Sequence, residues 1–216
     1  YDFLEIWPTA NQQIEVKNGV AEGLSDDESQ GFGVRVVADG AWGFASSALL
    51  SAEEVDRVTA LAVQIAKASA MSPTRAVELG PPVTHVGTYR TPVEIDPWEV
   101  SLGDKLDLLL KADEGLRATQ GVRVASSSLS FFREHRTFAN SEGAFLEQEI
   151  VESGGGIGAL AVDPERGEVQ KRSYPNSFGG DYRQQGWEAI LRLDLPGHAG
   201  RVGQEAVALL TADPCP

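Results

Sequence analysis

The first fifty residues alternate apolar and polar positions, and two turn-forming dipeptides interrupt the alternation. Asn18-Gly19 stands between Ile14-Glu15-Val16-Lys17 and Val20-Ala21-Glu22. Such a pair supplies the two positive-φ residues of a type I′ turn and predicts a hairpin. Asp39-Gly40 repeats the signal between Val34-Arg35-Val36-Val37-Ala38 and Ala41-Trp42-Gly43-Phe44-Ala45. Trp42 and Phe44 fall on one face by the period of two. Between the hairpins, Ser25-Asp26-Asp27-Glu28-Ser29 reads as a solvated loop. The period then changes. Ser51-Ala52-Glu53-Glu54 has the form of a capping box, with Ser51 accepting from the Glu54 N–H and the Glu54 side chain returning to the Ser51 N–H. Val55, Val58, Leu61, Ala62, Ile65 and Ala66 follow at helical spacing, and Ser72-Pro73 ends the helix.

Residues 73–98 hold Pro73, Pro81, Pro82, Pro92 and Pro97 with little periodicity, which predicts a surface connector. A second helix starts near Ser101 and buries Leu102, Leu106, Leu109, Leu110 and Leu116. The pattern from Val122 to Tyr174 is β: Val122 to Phe132, a return through Phe138, then Phe145 to Val151, Ile157 to Val162 and Val169 to Tyr174. Turns are expected at Asn140-Ser141-Glu142-Gly143, Gly154-Gly155-Gly156 and Asp163-Pro164-Glu165-Arg166-Gly167. Connections this short make successive strands antiparallel, because a parallel return needs a crossover of about a dozen residues. Two helices close the chain, Arg183 to Leu195 and His198 to Thr211, parted by Pro196-Gly197. The order predicts an α+β fold, an antiparallel (mixed) sheet of hairpins with helices packed on one face. Both halves run hairpins then helix, the order that an internal duplication leaves, although residue identities do not repeat. The chain is read as one domain, 1–216, with sub-regions 1–72, 73–98 and 99–216.

Charge narrows the functional classes. The 216 residues carry 18 Lys+Arg against 32 Asp+Glu, a net charge of −14. Affinity for a phosphate backbone comes mainly from clustered cations, and none cluster here, so direct nucleic-acid binding is excluded. At 42% hydrophobic and 23% charged residues, the composition is that of a chain able to build a core. The longest run free of charge, Ala41 to Ala52, is too short to span a membrane. The single cysteine, Cys215, rules out an intrachain disulfide and fits a reducing compartment. The chain lacks a starting Met and stops at Asp213-Pro214-Cys215-Pro216, so it is read as a piece of a longer protein.

Local chemistry is sparse. Gly154-x-Gly156-x-x-Ala159, with Asp181 downstream, matches the dinucleotide pattern, but Asp163-Pro164 leaves no room for the helix that the motif requires. A turn or bulge is the expected role. His85, His135 and His198 have no metal-ligand spacing. Glu134 and His135 point to opposite sides of a strand. Ser126-Ser127-Ser128 has no base beside it and no nucleophile elbow. The acidic groups Asp26-Asp27-Glu28 and Glu53-Glu54-Asp56 read as a solvated loop and a helix N-terminus.

Gly31-Phe32-Gly33-Val34-Arg35-Val36-Val37-Ala38-Asp39-Gly40-Ala41-Trp42-Gly43-Phe44-Ala45-Ser46-Ser47, followed by the capped helix, resembles the N-terminal region of the TldD/PmbA family, also named modulator of DNA gyrase. Arg133-Glu134-His135-Arg136 leading into Ala139-Asn140-Ser141-Glu142-Gly143 is similar to the family's strand, Asn-Ser-x-Gly turn and strand. The resemblance spans nearly the whole chain, and the part through Gly179-Gly180 looks more like the TldD-type subunit than the PmbA/TldE type. It implies a cytoplasmic zinc metallopeptidase acting on peptides or unfolded proteins, with a PmbA/TldE-like or identical subunit as partner, and with no direct nucleic-acid or membrane contact. The family's metal motif, H-E-x-x-x-H, lies in its C-terminal half, so zinc is expected there. This chain then carries no catalytic or metal residue and is inactive alone. The family's first helix is also missing. The matching residues Gly33, Arg35, Asp39, Gly40, Trp42, Gly43, Phe44, Asn140, Ser141 and Gly143 have structural reasons: Gly40 and Gly143 suit positive φ, Gly43 a bulge or close approach, and Trp42 with Phe44 an apolar face. A functional reading beside this is an exposed strand edge in the second sheet region that adds a substrate peptide. The alternatives are a free-standing peptide-binding or scaffold module, and a hydrolase with a dispersed Ser–His–acid triad.

Overall fold

The computed structural model describes residues 2–6, 8–72, 75–82 and 84–213. In chain order the elements are β1 (Asp2–Ile6), β2 (Thr9–Lys17), β3 (Val20–Ser29), β4 (Phe32–Ala38), β5 (Ala41–Ser47), α1 (Ala52–Ala70), β6 (Val86–Arg90), α2 (Leu102–Arg117), β7 (Val122–Asn140), β8 (Phe145–Asp163), β9 (Glu168–Tyr174), β10 (Asp181–Arg183), α3 (Trp187–Leu193) and α4 (Leu195–Leu209). This is the α+β arrangement that the pattern predicts, with mostly antiparallel pairing. Both type I′ turns form, with φ of 49° and 81° at Asn18-Gly19 and 53° and 80° at Asp39-Gly40. Among the described residues no helix is long and apolar enough to cross a membrane.

The chain divides into two compact units, interleaved in sequence. The first comprises Tyr1–Ala10, Glu28–Arg90 and Arg133–Ile150. Within it β4 pairs antiparallel with β1 and β5, and β1 pairs with the end of β7, setting Phe3 opposite Asn140 and Ile6 opposite Thr137. Helix α1 packs on β4 and β5 around Phe32, Val34, Val36, Ala45, Val58, Ala62 and Ala66. Its buried row is narrower than expected, since Leu61 and Ile65 each remain 38% exposed. At Gly43 a Cβ would lie 2.0 Å from the Ala62 carbonyl oxygen and 2.5 Å from the Ala66 nitrogen, so helix and strand approach at backbone distance. Half of the capping box forms. Ser51 Oγ accepts from the Glu54 N–H at 3.2 Å, but the Glu54 carboxylate turns to Arg57, at 2.6 and 2.7 Å. The helix ends at Ala70 with Met71 as C-cap; the expected stop at Pro73 lies outside the described residues. The connector 73–98 contains a strand that the proline count hid: β6 runs parallel to β8, with Val86 opposite Phe145 and Arg90 opposite Glu149. The long intervening chain permits that direction.

The second unit comprises Asn11–Asp27, Thr91–Phe132 and Val151–Pro216. Its core joins Ile14 and Val16 of β2, Leu109 and Leu116 of α2, Leu129 and Phe131 of β7, Ile157 of β8 and Leu195 and Val202 of α4. Phe131 is flanked by Trp98 and Trp187, with centroids 6.4 and 6.0 Å away. The predicted α2 stripe is only partly buried. Leu102 and Leu110 are exposed, whereas Lys105 and Asp113 are buried. Lys105 Nζ donates to Gln12 Oε1 and lies 4.5 Å from the Phe131 ring centroid, and Asp113 pairs with Arg117 at 2.6 Å. Burial lowers the Lys105 pKa, against the opposing pull of Asp26 and Asp96.

Five features differ from the sequence reading. Residues 25–29 continue β3 instead of forming a loop; among the described residues β3 pairs only with β2, and an edge strand tolerates polar side chains on both faces. The expected return between Phe132 and Phe138 is absent, because β7 is continuous from Val122 to Asn140. Gly154-Gly155-Gly156 does not turn the chain but lies inside β8. A Cβ would stand 2.2 Å from the Tyr182 ring at Gly154, 2.5 Å from the Ser128 carbonyl oxygen at Gly155 and 1.9 Å from the Gly179 carbonyl oxygen at Gly156. The triplet is a place where neighbours close on the strand from both faces. The C-terminal helices are parted at Asp194, with φ 45°, not at Pro196-Gly197. Proline is tolerated in a first helical turn, where its missing N–H has no partner to lose. Asp194 Oδ1 accepts from the Gly197 N–H at 3.2 Å and caps α4. Arg183, read as the start of a helix, ends β10 instead.

Candidate functional site

The residues singled out in the sequence fall into two groups in the first unit. Gly33 sits in β4 with the Phe44 ring 2.8 Å from where its Cβ would be. Arg35 is opposite Phe44 in the ladder, and its guanidinium lies 5.8 Å from the Trp42 ring centroid and 6.0 Å from that of Phe44. Alternation sends Gly43 toward α1 and Trp42 and Phe44 to the other face, where they are 40% and 48% exposed. The large apolar face exists, and it faces outward. Asp39 and Gly40 make the turn, and the Gly40 carbonyl accepts from the Val77 N–H at 2.8 Å. At the β7–β8 turn, Asn140 Oδ1 accepts from the Glu142 N–H at 3.1 Å and the Ala144 N–H at 2.8 Å, with Ser141 between them and Gly143 at φ 102°. An asparagine there replaces the partners that a two-residue hairpin would provide.

The serine run belongs to the second unit. Ser127 points into the core and donates to the Leu109 carbonyl at 3.2 Å. Ser126 and Ser128 face a cavity of about 260 Å³, together with Glu15, Lys17, Lys171 and the glycines of β8. No histidine lines it, so the Ser–His–acid arrangement does not assemble there. The dinucleotide motif lies mid-strand, so its glycines open no helix, and Asp181 pairs with Arg183 at 2.8 Å.

The histidines serve other neighbours. The His198 ring stacks on Tyr174 at 4.0 Å, the His135 N–H donates to the Pro8 carbonyl at 2.9 Å, and the His85 carbonyl accepts from the Phe145 N–H at 2.9 Å. Glu134 bonds Arg136, 3.1 Å away. Among the described residues no three His, Cys, Asp or Glu side chains gather where one metal ion could be held. The donor set of these residues therefore does not fit zinc. Cys215 lies outside them.

The shifted carboxylates have structural causes. The Arg57 guanidinium, with help from the Ser47 side chain, lowers Glu54 to about 2. Glu205 is held below the usual range by Arg172 and Arg201, at 2.6 and 2.7 Å. Burial pushes the Glu188 carboxyl up, but backbone N–H donors outweigh it; those of Gly186 and Ile95 stand at 2.7 and 3.0 Å. Glu188 thus ties the start of α3 to the 91–98 segment. Sequence reasoning missed this residue, whose only signal is an acidic side chain in a first helical turn.

Comparison with known proteins gives the relationships. PmbA/TldA metallopeptidase domain 1 matches residues 9–66, and the central domain of the same family matches residues 95–212, more than half of the chain. A metalloprotease of Methanocaldococcus jannaschii is 27% identical over 207 residues, covering 94% of this chain and 43% of that protein. A metalloprotease of Methanothermobacter thermautotrophicus is 26% identical over 203 residues, with 94% and 42% covered. Among solved structures, a candidate modulator of a DNA gyrase from Thermotoga maritima superposes with a TM-score of 0.75 at 16% identity, covering all of this chain and 46% of that one. TldE from Thermococcus kodakarensis gives 0.66 at 18% identity, with 95% and 43% covered. These two structural likenesses concern the fold. The chain spans less than half the length of these relatives. With both of its matched regions assigned to successive domains of one family, the chain belongs to the PmbA/TldD metallopeptidases.

Proposed function

We propose that this chain supplies the first and central domains of a metallopeptidase that cleaves peptides or unfolded proteins in the cytoplasm. In this reading the chain builds walls of the substrate cavity, while zinc and its ligands belong to a part of the protein outside residues 1–216. The protein pairs with an identical or PmbA/TldE-like subunit. The observation that carries the reading is the match to domain 1 and the central domain, within a span of 43% of a protein named as a metalloprotease.

The residues present have work that needs no metal. Gly43 lets α1 seat on the sheet, Asn140 closes the β7–β8 turn, and Glu188 ties α3 to its neighbour. Each holds a surface in place; none is arranged to attack an amide. The test compares hydrolysis of unfolded casein by residues 1–216 with that by the complete gene product, each with and without a chelator. The complete protein is expected to cleave and to lose activity on chelation, and the chain alone to be inert. Chelator-sensitive cleavage by the chain alone contradicts the reading.

A further inference from the structure

In the second unit, strand β9 has one covered face and one open one. Helix α4 lies against the first, where Arg172 pairs with Glu205 at 2.6 Å and Tyr174 stacks on His198 at 4.0 Å. Alternation sends Val169 and Lys171 to the other face, and Val169 remains 54% exposed there. Beyond the end of β9, residues 175–180 present Phe178, 96% exposed. That loop is tightly bonded. Ser173 Oγ donates to the Asn176 carbonyl at 2.7 Å, the Phe178 N–H to Asn176 Oδ1 at 3.0 Å, and Asn176 Nδ2 to the Gly180 carbonyl at 2.7 Å. Gly156 lets the Gly179 carbonyl close onto β8. A ring held at a fixed place in water forgoes about 1.5–3 kcal/mol of burial. Pre-ordered aromatic side chains of this kind are what interfaces use as anchors.

We infer that the open face of β9, from Val169 to Phe178, is the seat of the domain that follows the central one in the complete protein. The inference rests on the reading proposed above and adds this contact to it. Residues 95–212 match a domain described as central, and the chain spans less than half the length of its relatives. The tether to a following domain is placed by the fold. Residues 209–213 stand with Arg166, Glu168 and Gln170 around the first end of β9, and Phe178 lies past the other end. Seven strand residues at about 3.3 Å each separate the two ends by about 20 Å. A small domain is roughly 30 Å across, so one attached after Asp213 reaches Phe178. Attachment also holds it near this face at a high effective concentration, which a separate subunit or a passing substrate lacks. Phe178 calls for an apolar pocket on that domain, and Lys171, exposed on the same face, for a carboxylate beside the pocket.

Photo-crosslinking in the complete gene product tests the inference. The probe p-benzoylphenylalanine, placed at Phe178 and separately at Val169, is expected to link on irradiation to residues of the same chain beyond position 216, located by mass spectrometry. Mixing light and isotopically heavy protein separates links within one chain from links between two. The same probe at Leu191, 51% exposed on α3 and so on the helix-covered side of the sheet, is expected to give no such link. All three side chains are exposed in this chain, so their replacement leaves its core untouched. Links from positions 178 and 169 to a second subunit or to added casein, an equal yield from position 191, or no link at all would overturn the assignment. Zinc content and chelator-sensitive cleavage are measured on the same protein. A protein that holds zinc and cleaves, yet gives no link past residue 216, refutes the docking and leaves the metallopeptidase reading standing. Links past residue 216 in a zinc-free, inactive protein refute that reading and support the docking.

Discussion

At Gly43 one hydrogen atom separates a seated helix from a displaced one. The carbonyl oxygen of Ala62 occupies the space that a methyl group would need, 2.0 Å from the Cβ position. Gly43→Ala is therefore expected to cost about 1–3 kcal/mol in urea unfolding, the range for an overpacked core. Gly87, on the exposed strand β6, has nothing within 4 Å of its Cβ position, and Gly87→Ala should stay within about 0.5 kcal/mol. Asn140 acts by the opposite route, filling hydrogen bonds instead of avoiding atoms. Asn140→Ala leaves the N–H groups of Glu142 and Ala144 without its Oδ1 and should cost about 1–3 kcal/mol in the same assay, whereas Asn140→Asp keeps the acceptor and most of the stability. Glu54 governs acid behaviour. Its folded value of about 2 lies below the ordinary 4.5, so its contribution is complete above pH 4.5 and fades as pH falls toward 2. Thermal unfolding across that window should be flatter for Glu54→Gln than for the parent.

At the scale of elements, legibility followed the range of the cause. Turns and caps are local, and Asn18-Gly19, Asp39-Gly40 and Ser51 do what their residue types dictate. The glycines of β8 were misread because a glycine triplet looks the same whether the chain turns or a neighbour comes close; Ser128, Gly179 and Tyr182, each more than twenty residues away, decide it. β6 was hidden by flanking prolines, and its partner lies in β8, far along the chain. The break between α3 and α4 was placed two residues late, since proline ends a helix in mid-run but suits a first turn. Lys105 escaped notice because its burial depends on Gln12 and Phe131, from other elements. Glu188 is the element-scale test. Glu188→Ala orphans the N–H groups of Gly186 and Ile95 in a buried setting, and about 2–4 kcal/mol should be lost, read as a lower urea midpoint with unchanged slope.

Over the whole molecule, the family was legible before the fold because the run from Gly31 to Ser47 joins three separate constraints: the Asp39-Gly40 turn, the Gly43 contact and the outward Trp42–Phe44 pair. The site was less legible, since strand pairing brings Glu15, Ser128 and Lys171 to one cavity from segments that share no motif. The account as a whole holds that the chain is a metal-free part of a metallopeptidase. Zinc content after dialysis against the free ion, measured by elemental analysis of the purified chain and of the complete gene product, tests this most directly. The account predicts far less than one zinc per chain for residues 1–216 and about one for the complete protein. One tightly held zinc per isolated chain would contradict it.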